Sequence, residues 1–185
     1  MSRKSNLKIN NMIRTIFNSQ QPIAIWSETG IRNGEHYTHC QYLIINDGGR
    51  RQAGYKSITG DCVCRAISIA TGKPYKEVHT ALNELGKTER TGKRKRGRSN
   101  AEKGVYKQTT RKYMESIGWE WTPTMKIGSG CTVHLRGDEL PWGRLVVELS
   151  RHTVAVINRV IHDTYDSSRR GTRYVYGYYQ KKQNS

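Results

Sequence analysis

The sequence predicts an α+β fold, with helices in the first two-thirds of the chain packed on a C-terminal antiparallel sheet. Apolar residues between Cys62 and Ile117 recur at helical spacing. After Gly118 they alternate with polar residues, the period of half-buried strands. The two kinds of segment do not interleave, which separates α+β from alternating α/β.

Taken in order, Ile9, Met12, Ile13, Ile16 and Phe17 mark a short amphipathic helix. PIAIWS and HYTHCQYLIIN read as strands joined by a turn at Asn33-Gly34, and Asp47-Gly48-Gly49 closes this part. CVCRAISIATG reads as a helix with Val63, Ala66, Ile67 and Ala70 on one face and Gly72 as its stop. Pro74 suits the first turn of the next helix, whose stripe is Tyr75, Val78, Leu82 and Leu85, ended by Gly86. A third helix spans Thr110 to Ile117, with Tyr113, Met114 and Ile117 inward and Gly118 as its stop. WEWTPTM, CTVHL, RLVVEL, HTVAVIN, VIHDTYD and RYVYGYY then supply the strands.

Composition narrows the function. The 185 residues hold 32 Lys and Arg against 15 Asp and Glu, a net charge of +17. Such charge describes partners and solubility, and it makes nucleic acid the first partner to test, with acidic proteins second. The segment KTERTGKRKRGR (87–98) alone carries +6 and the first fourteen residues +4, leaving +7 for the rest. Residues 1–20 are therefore expected to form a basic arm and residues 21–182 a single domain, with a basic loop inserted at 87–104. No run approaches the ~18 apolar residues of a membrane span, and the basic N-terminus has no apolar core of a secretory signal. Four cysteines do not make a disulfide scaffold, so free thiols in a reducing cytoplasm are expected.

Two segments carry chemistry. In Gly60-Asp61-Cys62 a thiol stands at a helix N-terminus, where the dipole and free N–H groups favour the thiolate, with Asp61 placed like an N-cap. Cys64 lies about 200° around the helix and has no such support. The plainer reading is that both are small packing residues. In RHTVAVINRVIHDTYD (151–166), a two-residue turn at Asn158-Arg159 pairs Ile157 with Val160, Val154 with Asp163 and His152 with Tyr165. His152 and Asp163 then share a face as diagonal neighbours, ~7–8 Å apart at Cα and closer at their side chains. A base needs a third group to fix its orientation, and this register supplies one. His162 and Asp166 project to the opposite face. Arg159 is the weak point, because a type I′ turn favours glycine there.

Together, GDCVCRAISIATG, RHTVAVIN and VIHDTYD give the order Cys, His, Asp. In this the chain resembles the papain-like cysteine peptidase superfamily, especially its compact bacteriocin-processing branch. It also looks like small phage-type proteins that bear DCVxRA, SRHTVAV…HDTYD and a terminal YVYGYY. The resemblance spans roughly Asp47 to Tyr179. It implies a papain-like domain with Cys62 as nucleophile, His152 as general base and acid, and Asp163 as orienter. It further implies a protein or peptide substrate and, for a phage-encoded chain, action in a bacterial cytoplasm. The family's oxyanion glutamine falls about six residues upstream of the nucleophile, where this chain has Lys56, so Lys56 and Ser57 are the candidate donors, with Thr59 and Gln52 nearby.

Other readings compete. His36, His39, Cys40, Cys62, Cys64, Cys131 and His134 are available to a metal, but their spacing fits no common zinc pattern, and no metal or organic cofactor is expected. The loop residues Lys93, Arg94, Lys95, Arg96 and Arg98 are candidate phosphate contacts, and Trp119, Trp121 and YVYGYY candidate stacking platforms. For the aromatics, ordinary core packing is the favoured reading. The function expected is thus a cysteine peptidase or isopeptidase. The alternative is an inactive papain-like fold that holds nucleic acid or a host protein through its basic loop.

Overall fold

A computed structural model describes residues 21–56, 60–92, 97–126, 128 and 130–182. The arm 1–20, with its expected helix, lies outside the described residues, as do Ser57, Thr59 and Lys93 to Arg96. The elements are β1 (Ile23–Arg32), β2 (Glu35–Ile45), α1 (Cys62–Thr71), α2 (Tyr75–Lys87), α3 (Lys107–Ser116), β3 (Trp119–Pro123), β4 (Met125–Lys126), β5 (Gly130–Cys131), β6 (Arg144–Leu149), β7 (His152–Ile157), β8 (Val160–Asp163) and β9 (Val175–Lys181). The α+β class is observed. No helix among the described residues is long and apolar enough to cross a membrane.

The main sheet has seven strands in the order β1-β2-β8-β7-β6-β9-β3. Contrary to the expectation from sequence, it is neither purely C-terminal nor purely antiparallel. The N-terminal hairpin β1–β2 joins it, and β2 runs parallel to β8, with Leu43 opposite Ile161 and Ile45 opposite Asp163. Leu43 and Ile161 are both buried in one apolar cluster, which explains why the hairpin docks there.

Two clusters fill the molecule. The helices supply Val63, Ile67, Val78, Leu82 and Met114, which pack with Val146, Ala155 and Tyr179 of the sheet. The second unites Leu145, Val147, Val154 and Val156 of the sheet with Leu135 and Leu140 of the irregular segment 132–141. CTVHL was expected to be a strand. Only Cys131 is, because the chain then leaves the small hairpin to bring Leu135 and Leu140 into that cluster.

Helix α1 ends at Gly72, whose φ of 76° is the left-handed stop expected of it. Gly86, expected to end α2, instead sits inside the helix; its role is space, since a Cβ there would collide with the Ser99 carbonyl. Helix α3 starts at Lys107 and stops before Gly118, shifted from the expected Thr110–Ile117. Trp119 and Tyr179 are buried in the core, but Tyr174 is 48 % exposed and meets the His134 ring at a tilt, so YVYGYY is only partly core.

Candidate active site

Cys62 is the first residue of α1, and α1 packs against β7 and β6. Gly60, two residues earlier, has a φ of 75°, and a Cβ there would lie 2.6 Å from the Glu102 carbonyl. Only glycine lets the chain turn this tightly into the helix.

His152 opens β7 opposite Leu149, and β7 and β8 pair in the expected register: Ile157 with Val160, Val156 with Ile161, Ala155 with His162. Asn158 and Arg159 have φ of 48° and 69°, as a type I′ turn demands. His152 Nε2 and Asp163 Oδ2 are 2.6 Å apart. The imidazole is near enough to the Cys62 thiol for each to shift the other's titration, and with Nε2 taken by Asp163 the nitrogen left for sulfur is Nδ1. The Tyr165 ring lies 5.4 Å from the imidazole. The three residues expected at the site are therefore together.

The electrostatics match. Burial alone would raise the Cys62 thiol. The hydrogen bond and charge of His152, the Thr153 N–H and the Arg65 charge outweigh it, so Cys62 is held below the usual thiol range. Burial would lower His152, but its bonds and charge interactions with Asp163 and Cys62 push it up to about 9. The opposite shifts each favour the charged form, thiolate at Cys62 and imidazolium at His152. Cys64, on the same helix, is pushed up to about 12, first by burial and further by the Asp61 charge.

Sequence reasoning missed what holds Asp163. Its Oδ1 accepts from Arg65 Nη1 at 2.9 Å and from the Thr164 N–H at 2.7 Å, which leaves Oδ2 for the imidazole. Arg65 Nε donates to Asp61 Oδ1 at 3.0 Å, and Asp61 Oδ2 receives Tyr75 Oη at 3.1 Å and Arg50 Nη1 at 3.4 Å. All five side chains are buried. The signal was present, since Arg65 is the single charge in CVCRAISIAT. Its committed carboxylate also means that Asp61 makes no side-chain cap bond, contrary to expectation. The first-turn N–H groups beside the thiol are thereby left without that partner.

A cavity of about 240 Å³ opens beside the pair, lined by Gly60, Cys62, Gly104, Glu148 and His152 among others. Lys56, the expected oxyanion donor, is exposed and does not line it. Cys62 and Val63, which do line it, belong to the first turn of α1, whose N–H groups have no partner within the helix. Glu148 was not anticipated either. It is the lone charge in LVVEL, and the same signal applies.

Of the basic loop, Arg98 is described; it is exposed and lines a separate cavity with His79 and Asn83. Among the described residues no group of three or more His, Cys, Asp and Glu could hold a metal ion. His39 pairs with Asp138 and His134 with Glu139. Comparison of the chain with protein-family models, curated proteins and solved structures finds no match.

Proposed function

We propose that this chain is a cysteine hydrolase of papain-like design that cleaves a peptide or isopeptide bond through Cys62, His152 and Asp163. What carries the reading is a free thiol at a helix head, lining one cavity with an imidazole whose Nε2 is held by a buried carboxylate. The Cys62 thiolate attacks the carbonyl carbon, and the oxyanion that forms takes hydrogen bonds from the first-turn N–H groups of α1. The His152 imidazolium gives its proton to the leaving amine as the C–N bond breaks. The neutral imidazole then takes a proton from water, which attacks the thioester and releases the acid and the free thiol. Asp163, fixed by Arg65, keeps the ring in one orientation throughout.

The test is alkylation by iodoacetamide at pH 6–7, read by mass spectrometry at each cysteine. Cys62 should react at least ~10-fold faster than Cys40, Cys64 and Cys131, because His152 and the helix head favour its thiolate. His152→Ala should remove most of the advantage. Equal labelling of all four would refute the ion pair and leave the inactive, basic-loop binding protein as the better account. Hydrolysis itself should have an alkaline limb near the His152 value of about 9, where the leaving-group acid is lost.

A further inference from the structure

The cavity beside Cys62 contains one carboxylate that the chemistry above does not use. Glu148 is only 6 % exposed. Its supports are long: Tyr179 Oη donates to Oε1 at 3.4 Å, and Lys107 Nζ lies 3.5 Å from Oε2. Both exceed the 2.7–3.2 Å typical of a good hydrogen bond. Burial pushes the Glu148 carboxyl up, against the weaker pull of Lys107 and Tyr179. A buried carboxylate this thinly supported gains from a closer cation.

Lys107 indicates what kind of cation fits. Its side chain is 71 % exposed and reaches from the first residue of α3, with its ammonium 5.1 Å from the centre of the Tyr176 ring. An ammonium is thus already accommodated between a carboxylate and an aromatic face, and an exposed lysine can swing back into water at little cost.

The position is next to the reacting atoms. Glu148 lines the same cavity as Cys62 and His152, and across the ladder it pairs with Thr153, the residue after His152. The cavity, about 240 Å³, is below the ~300–1,000 Å³ of usual small-molecule sites and suits a single side chain.

We propose that Glu148 is a specificity-determining residue, selecting substrates whose lysine or arginine side chain, within about two residues of the cleaved bond, displaces Lys107 from the Glu148 carboxylate. The proposal rests on the hydrolase reading of Cys62. Its test needs no turnover. Two chloroacetamides of equal length, one ending in a primary ammonium and one in a methyl group, compete for Cys62, and the ratio of their rate constants is measured. In the wild type the ammonium reagent should be faster by about tenfold. Glu148→Gln, nearly isosteric, should bring the ratio close to one. Lys107→Met, which removes the competing ammonium from an exposed position, should raise the ratio above the wild-type value. Fast labelling of Cys62 with equal rates for both reagents, or a ratio unchanged in Glu148→Gln, overturns the subsite alone. Slow labelling by both, at the rate of Cys40, sinks the hydrolase reading and the subsite with it.

Discussion

Two histidines share the β7–β8 hairpin and have opposite fates. His152 is buried and is pushed up to about 9; His162 is partly buried and is pushed down to about 4. Burial acts the same way on both. The difference lies in what the nearest guanidinium meets first. Beside His152, the Arg65 charge is spent on Asp163 and Asp61, so the imidazole sees a carboxylate. Near His162, Arg144 donates to the Ala70 and Ile69 carbonyls, neutral acceptors, and its charge opposes protonation. His162 Nδ1 is buried with no hydrogen-bond partner among the described residues. Cys62 and Cys64 repeat the lesson on one helix: both are buried, but His152 pulls the first thiol down, while burial and the Asp61 charge push the second up.

The largest break of that contrast is at Arg65. Arg65→Met leaves Asp61 and Asp163 buried without their main counter-charge. Breaking a buried pair from one side costs ~3–5 kcal/mol, and urea unfolding should read a loss of that size. Arg65→Lys keeps the charge but has a single ammonium for two carboxylates, so it should recover only part of the loss. A loss under ~1 kcal/mol would mean that water already reaches these carboxylates.

A middle-sized effect belongs to His162. Its folded value of about 4 lies below the unfolded value of ~6.5, so between these pH values the unfolded chain binds the extra proton. The stability tied to neutral His162 is complete above pH ~6.5 and is lost as pH falls through about 4. After allowance for solvent screening of a partly exposed ring, the loss is on the order of 1–2 kcal/mol. His162→Gln should flatten the unfolding free energy across this window. If the slope persists in His162→Gln, another group is responsible.

Local features of this site were legible in the sequence, and long-range ones were not. Cys62 at a helix head follows from Gly60, the apolar spacing after it and Gly72. The turn position gives the register from Ile157–Val160 to Ala155–His162, where the ladder ends. The expected pairs Val154–Asp163 and His152–Tyr165 lie beyond it, and His152 and Asp163 meet there through their side chains. The Arg65–Asp163 contact spans 98 positions, and no periodicity encodes it. The parallel β2–β8 pairing is equally hidden, since the hairpin β1–β2 has the same local pattern whatever edge it joins. A side-chain donor was expected at Lys56, which is exposed and does not line the cavity. Lone charges in apolar segments, Arg65 and Glu148, were the available clue to the rest.

The smallest effect tests the turn on which the register depends. Arg159 holds a φ of 69°, a left-handed conformation that costs a side-chain-bearing residue ~1–2 kcal/mol. Its guanidinium lies 5.8 Å from the Trp142 ring centre, a contact worth ~0.5–1 kcal/mol at an exposed site. Arg159→Gly relieves the first and forfeits the second, while the unfolded chain gains freedom, so the net gain should be only ~0.5 kcal/mol. Arg159→Val gains nothing and worsens the strain, because a β-branched residue tolerates positive φ least. Chemical unfolding should therefore place the two variants on opposite sides of the wild type. Because the same turn sets His152 against Asp163, the valine variant should also label more slowly at Cys62. Unchanged labelling despite lost stability would mean that Arg65 and the Thr164 N–H hold Asp163 in place without help from the turn.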